Sequence, residues 1–253
     1  MLSLARRHWA YVWIPLVTAF MWFSTLLSML ITWLCTGRPH YVSMDGSVPY
    51  ISDIGADILK PWFIIGCSFT GVGFTLSLAI ERILRHKGRL VPNMRTREKV
   101  FSVLSTIAAG IGGAGLILLS VFDTKRHSTL HRLFLLIFMV GVAFSALFTC
   151  IEYWWLAKDF KDAREIRIAY LAKAIIAILL VLLAIAFGIA LYKSTDVGGY
   201  LEWTISFCFT LYLLTFYFDL RQSKGIETGA LRSNTFLMRA TRGRYTPPAP
   251  AVV

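Results

Sequence analysis

Charged residues are scarce in this chain. They make up 16% of its 253 residues, while the broad hydrophobic share is 57% and the mean hydropathy is +0.63. A soluble domain carries about 25% charged and about 45–50% apolar residues. For the chain as a whole, the deficit excludes a disordered polypeptide and an ordinary water-soluble enzyme core. Cysteine is scarce as well. Cys67, Cys150 and Cys208 lie inside apolar runs and Cys35 stands at the edge of one. Four scattered thiols give neither a secreted disulfide frame nor a metal-type pair, and the inner three read as packing residues. No Asn-x-Ser/Thr acceptor occurs, so glycosylation says nothing about compartment. The short alternating segments of a membrane β-barrel are missing too.

What the chain does have is six long apolar runs: Tyr11–Leu34, Trp62–Ile80, Val100–Val121, Leu133–Trp155, Ala169–Tyr192 and Tyr200–Leu220. A bilayer core about 30 Å thick takes roughly 20 helical residues. Each run is apolar over the full helical turn, which suits lipid and neighbouring helices better than a soluble core. The second is expected to begin at Pro61, a position a first turn tolerates. The first follows Arg6 and Arg7. It is too long for a cleavable signal and lacks a small-x-small site, so it reads as a retained span. The expected fold is all-α: one polytopic domain over residues 1–220, a bundle of six transmembrane helices. A polar cytosolic tail, 221–253, ending in Pro247, Pro248 and Pro250, is expected to be disordered.

The net charge is +12. Of the lysines and arginines, only Arg38, Lys60, Lys125, Arg126, Arg132 and Lys193 fall in the segments opposite the termini. Lys173 lies within a span, and all the others share the side of the termini. Because cytoplasmic loops are rich in Lys and Arg, both ends are placed in the cytosol. The excess charge is thus a statement about orientation and an anionic inner leaflet, and gives no support for nucleic acid. Tyr153, Trp154 and Trp155 stand where an aromatic belt would lie.

Several constellations invite a functional reading, each beside a structural one. In the third run, Ala108/Gly112 and Gly110/Ala114 are four apart and share a helix face. They suit a dimer interface or lipid groove, or close packing within the bundle. Asp123, His127 and His131, also four apart, could line one face and hold a metal, or form an interfacial hydrogen-bond cluster. Glu152 and Lys173 could pair with each other or serve transport. Glu202 would meet the positive end of its own helix, and Asp219 needs a basic partner such as Arg221. Between the second and third runs stand Arg82, Arg85, Lys87, Arg89, Arg95, Arg97 and Lys99, against only Glu81 and Glu98. Near an anionic leaflet each basic residue contributes about 1 kcal/mol. The cluster fits anionic headgroups such as phosphoinositide or phosphatidylserine, an acidic protein, or a topology signal alone.

The loop Val48-Pro49-Tyr50-Ile51-Ser52-Asp53-Ile54-Gly55 and the later Glu202-Trp203-Thr204, followed by Asp219, resemble the damage-regulated autophagy modulator family. That family takes in the FRAG proteins and the fungal suppressor-of-four-kinase proteins, and the Pro-Tyr-Ile-Ser-Asp segment favours the autophagy and suppressor branches. His131 falls where the family has a histidine opening its fourth span. The resemblance covers the layout from Tyr11 to Leu220. Taken towards the fungal suppressor-like branch, it implies a non-enzymatic membrane regulator linked to phosphatidylinositol 4-kinase and plasma-membrane lipid, with a peripheral lipid-kinase complex as partner. The other branches imply a lysosomal or vacuolar autophagy modulator, or a Golgi factor in GPI-anchor lipid remodelling. No catalytic residue and no cofactor or metal is implied.

Physically, Pro49 holds Val48 extended, Ser52 and Asp53 can bond the local backbone, and Gly55 permits a turn. The motif is expected to form an ordered cap on the helix ends. A lipid transporter or scramblase would need a polar path through Glu152, Lys173 and His131. A lipid enzyme would need the Asp123/His127/His131 group.

Overall fold

Helices dominate because apolar residues fill every turn and the backbone bonds itself, as a bilayer demands. A computed structural model describes residues 10–92, 95–159, 164–226 and 228–232. Its helices are α1 (Ile14–Cys35), α2 (Ile51–Gly55), α3 (Lys60–His86), α4 (Thr96–Val121), α5 (Ser128–Asp159), α6 (Arg164–Lys193) and α7 (Thr195–Arg221). A 3-10 turn, Ala10–Trp13, leads into α1. Among the described residues there is no strand. Six of the helices are long and apolar enough to cross a membrane.

The six long helices form a ring. Each packs on its neighbour in the chain, and α7 closes the ring against α1. Phe74, Phe209, Tyr212 and Phe216 fill the centre with edge-to-face, tilted and stacked rings 5.3–6.3 Å apart. Trp22, Leu26 and Met29 of α1 complete the core. Large apolar side chains such as Phe20, Phe69 and Leu182 cover the outside, as lipid contact requires.

Glycines set the closest approaches. A Cβ on Gly141 would stand 2.6 Å from Gly112 Cα, and one on Gly71 would stand 2.6 Å from the Gly113 carbonyl. Gly112, Gly113 and Gly115 therefore draw α4 onto α3 and α5. Of the two roles open to this small-residue stripe, the bundle interior takes those three, while Gly110 has only Thr75 near it and Ala114, four residues on, is exposed.

Helix ends overrun the apolar runs where polar side chains find partners. α3 starts at Lys60, with Pro61 in its first turn, but continues past Ile80 to His86. Its extension carries Glu81 and Arg85, an i,i+4 pair turned inward. The aromatic belt at 153–155 is reduced to Trp154, which is exposed; Tyr153 is buried and Trp155 half-buried. Successive helical residues point about 100° apart, so three in a row cannot share the lipid face. After α7 the chain turns back. Gly229 and Leu231 donate their N–H groups to the Lys87 and Gly88 carbonyls at 2.9 and 3.1 Å. The beginning of the expected tail is thus tied to the α3–α4 connection, and residues 233–253 lie outside the described residues. So do Arg6, Arg7, Lys161, Arg239, Arg242 and Arg244.

Candidate functional site

The two ends of the bundle are built differently. At the end bearing α2, the motif loop is sewn to the start of α7. Asp53 Oδ2 accepts the Tyr50 N–H at 2.9 Å and closes the first turn of α2. Glu202 Oε2 accepts the neighbouring Ile51 N–H at 2.7 Å. The Trp203 indole donates to the Pro49 carbonyl at 3.0 Å, and the Tyr50 hydroxyl to the Thr195 carbonyl at 3.2 Å. The two short motifs, far apart in sequence, are each other's hydrogen-bond partners. Because α7 begins at Thr195, Glu202 lies two turns inside it. The helix start it meets is that of α2, not its own. Ser52 is buried in the same cap, and Gly55 lies so close to Phe63 that a Cβ would come within 2.5 Å of the ring. Thr204 does not join: it is exposed and bonds only the Tyr200 carbonyl one turn back.

Charge at this end follows burial. Burial pushes the Asp53 carboxyl above its usual range, against the opposing bonds from Ser43 and Tyr50. Burial, then Glu202 and Asp53, raise the Tyr50 phenol to about 12. Burial would also raise Asp123, but the Lys60 hydrogen bond, the Arg126 N–H and both cations outweigh it and hold this carboxyl low.

Asp123, His127 and His131 do not converge. Asp123 pairs with Lys60 across the α3–α4 boundary. His131 is buried and directs Nδ1 at the Leu119 and Phe122 carbonyls, 2.8 and 3.1 Å away, which makes Nδ1 the protonated nitrogen. His127 lies exposed against Phe122. Among the described residues no His/Cys/Asp/Glu group is arranged to hold a metal.

Toward the other end, a charged network lies inside the ring. Glu81 Oε1 accepts from Arg85 Nη2 at 2.8 Å and from the Tyr153 hydroxyl at 2.5 Å. Lys173 stands 2.5 Å from Asp219, 4.0 Å from Glu81, and 3.7 Å above the Phe216 ring. Glu152 lies 3.7 Å from Arg85. The expected pair Glu152–Lys173 is therefore exchanged. Lys173 serves Asp219, in place of Arg221, while Glu152 serves Arg85. The rotation of each helix about its axis, which run boundaries do not fix, decides these partners. His131 opens α5 and Glu152 lies some 30 Å further along the same helix at 1.5 Å per residue. The three residues of the hypothetical polar path are not brought together.

Above this network sits the basic cluster. Arg85 does not reach the surface; it is buried, and Nη1 bonds the Val91 carbonyl at 2.9 Å. Arg82 donates to the Lys99 carbonyl at 3.0 Å. Arg89 donates to the Ile226 carbonyl at 2.9 Å and leans over Tyr11. Arg97 stacks 3.4 Å over the Trp155 ring. Lys87, Arg95 and Lys99 are exposed. The seven residues thus divide into one internal ion-pair partner, three anchored guanidiniums and three outward cations on one end of the bundle.

Several contributors carried little signal. Asp196 accepts the Ser47 and Val48 N–H groups at 2.6 and 3.1 Å. Gly198 and Gly199 leave room for Tyr50 and Val48. The Gly198-Gly199 pair beside an acidic residue was the one available sign that another segment docks there.

No solved structure matches this chain. Its sequence is 28% identical over 235 residues to Protein sfk1 of Schizosaccharomyces pombe, covering 88% of this chain and 71% of that protein. It is 25% identical over 188 residues to Protein SFK1 of Saccharomyces cerevisiae, covering 63% of this chain and 53% of the relative. The family model described as the Frag1/DRAM/Sfk1/Cwh43P N-terminal domain matches residues 10–223, from the turn before α1 to the turn after α7, and the chain belongs to that family.

Proposed function

We propose that the protein is a non-enzymatic integral membrane regulator whose basic end holds anionic lipid headgroups and thereby organises a phosphatidylinositol 4-kinase assembly at the plasma membrane. Both termini and the basic end face the cytosol in this reading. The observation that carries it is the grouping of Lys87, Arg95 and Lys99 as outward cations around anchored Arg82, Arg89 and Arg97. Anchored guanidiniums lose little further freedom on meeting a phosphate, and the outer cations add attraction to an anionic surface. The kinship to the two Sfk1 proteins supports the link to a lipid kinase pathway.

The test uses tagged full-length protein in cells, with Lys87, Arg95 and Lys99 changed together to glutamate. The reading expects the variant to reach the plasma membrane while phosphatidylinositol 4-kinase at that membrane falls. Undiminished kinase there, with the variant correctly placed, contradicts it.

A further inference from the structure

The opposite end of the molecule holds a cavity, partly open to the outside and lined by both apolar and charged side chains, that the lipid-kinase reading does not use. It has a volume of about 270 Å3, many times the 10–15 Å3 or so that one water requires. Asp53 forms its floor and is 2% exposed. Asp57, His40 and Lys125 stand around it on the exposed side. Thr32 and Thr36, in the last turn of α1 and just beyond, give its depth: the level at which the long helices leave the apolar layer. Val42 and Ile58 form part of the wall and are 86% and 73% exposed. Such apolar side chains beside a charged cavity are at home against lipid and costly in open water. Below them the outer face of α1 continues as exposed Ile31, Leu27 and Phe20, a track for acyl chains.

The charges of the lining are mixed. Asp57 and Lys125 take part in no ion pair among the described residues. A ligand carrying both signs would satisfy both groups, whereas a purely anionic headgroup would meet Asp53 and Asp57. We propose that this cavity receives the headgroup of a primary-amine zwitterionic phospholipid from the adjoining leaflet, its ammonium toward Asp57 and Asp53 and its phosphate toward Lys125 and His40. A primary ammonium has three N–H donors for the carboxylates. The quaternary ammonium of choline lipids has none, so the site favours ethanolamine over choline. The proposal is independent of the basic end, since both lipids are net neutral there.

The test equilibrates the full-length purified chain with an equal mixture of phosphatidylethanolamine and phosphatidylcholine and measures the retained lipid by mass spectrometry. The expected enrichment of phosphatidylethanolamine is about fivefold, as a partly exposed charge pair gives. Asp57→Lys and Lys125→Glu, both at exposed positions, remove it while helix content is unchanged. Water-soluble glycerophosphoethanolamine at comparable concentration leaves the lipid in place. Equal retention of the two lipids, enrichment that survives Asp57→Lys, or displacement by the soluble headgroup overturns the proposal.

Discussion

At the residue scale, the buried charges dominate. Lys173 has its side chain 1% exposed and lies against Asp219, Glu81 and two aromatic rings. Removing one partner of such a pair leaves an uncompensated charge and costs about 3–5 kcal/mol, whereas replacing both with apolar groups is often neutral. Lys173→Met should therefore lower the melting temperature of the detergent-solubilised protein sharply. Lys173→Met combined with Asp219→Leu should recover most of the loss. Asp123 gives a pH prediction of definite sign. Its carboxyl is held below the usual value of about 3.9. Its pairing thus stabilises the fold fully above that value and is lost as the pH falls through the lower folded value. Asp53, raised by burial, acts in the opposite sense, so the difference between wild type and Asp123→Asn isolates Asp123. The two melting curves should converge on acidification; a constant gap down to the lowest pH would refute the assignment.

At the element scale, what the sequence revealed and what it concealed have one cause. Spans are legible because a bilayer imposes a length and an all-round apolar composition on each. Contacts between spans depend on helix rotation and register, which that composition leaves open. Tyr153 and Trp154 illustrate this, adjacent in sequence yet one bonded to Glu81 and the other exposed. The docking of Pro49–Asp53 onto Glu202 and Trp203 was equally hidden, although both motifs were visible as motifs. Two substitutions probe these contacts. Gly141→Leu forces α5 away from α4 and should destabilise by about 1–3 kcal/mol or more, since overpacking has no room to relax against Gly112 backbone. Glu202→Ala leaves the buried Ile51 N–H without its acceptor, for about 1–3 kcal/mol. Both are read by thermal unfolding, and Glu202→Gln, which keeps an acceptor, should lose less.

At the scale of the whole molecule, the ring of six helices separates two chemically distinct ends. One is a motif-locked cap of near-balanced charge; the other is strongly basic. The proposed orientation, with the basic end in the cytosol, follows from that asymmetry, and Cys35, exposed beside the cap, is a natural reporter of it. An impermeant maleimide applied to intact cells should label Cys35, while a cysteine introduced by Lys87→Cys should react only after permeabilisation. The charge of the basic end matters because unscreened cations at an anionic surface attract within about a Debye length, some 8 Å at physiological salt. The most direct measurement is binding of phosphatidylinositol 4-phosphate to the full-length protein in phosphatidylcholine nanodiscs, with and without glutamate at positions 87, 95 and 99. Wild-type binding should weaken as salt rises, and the substituted protein should bind several-fold less at low salt. Equal binding by both, insensitive to salt, would contradict the proposed role of the basic end.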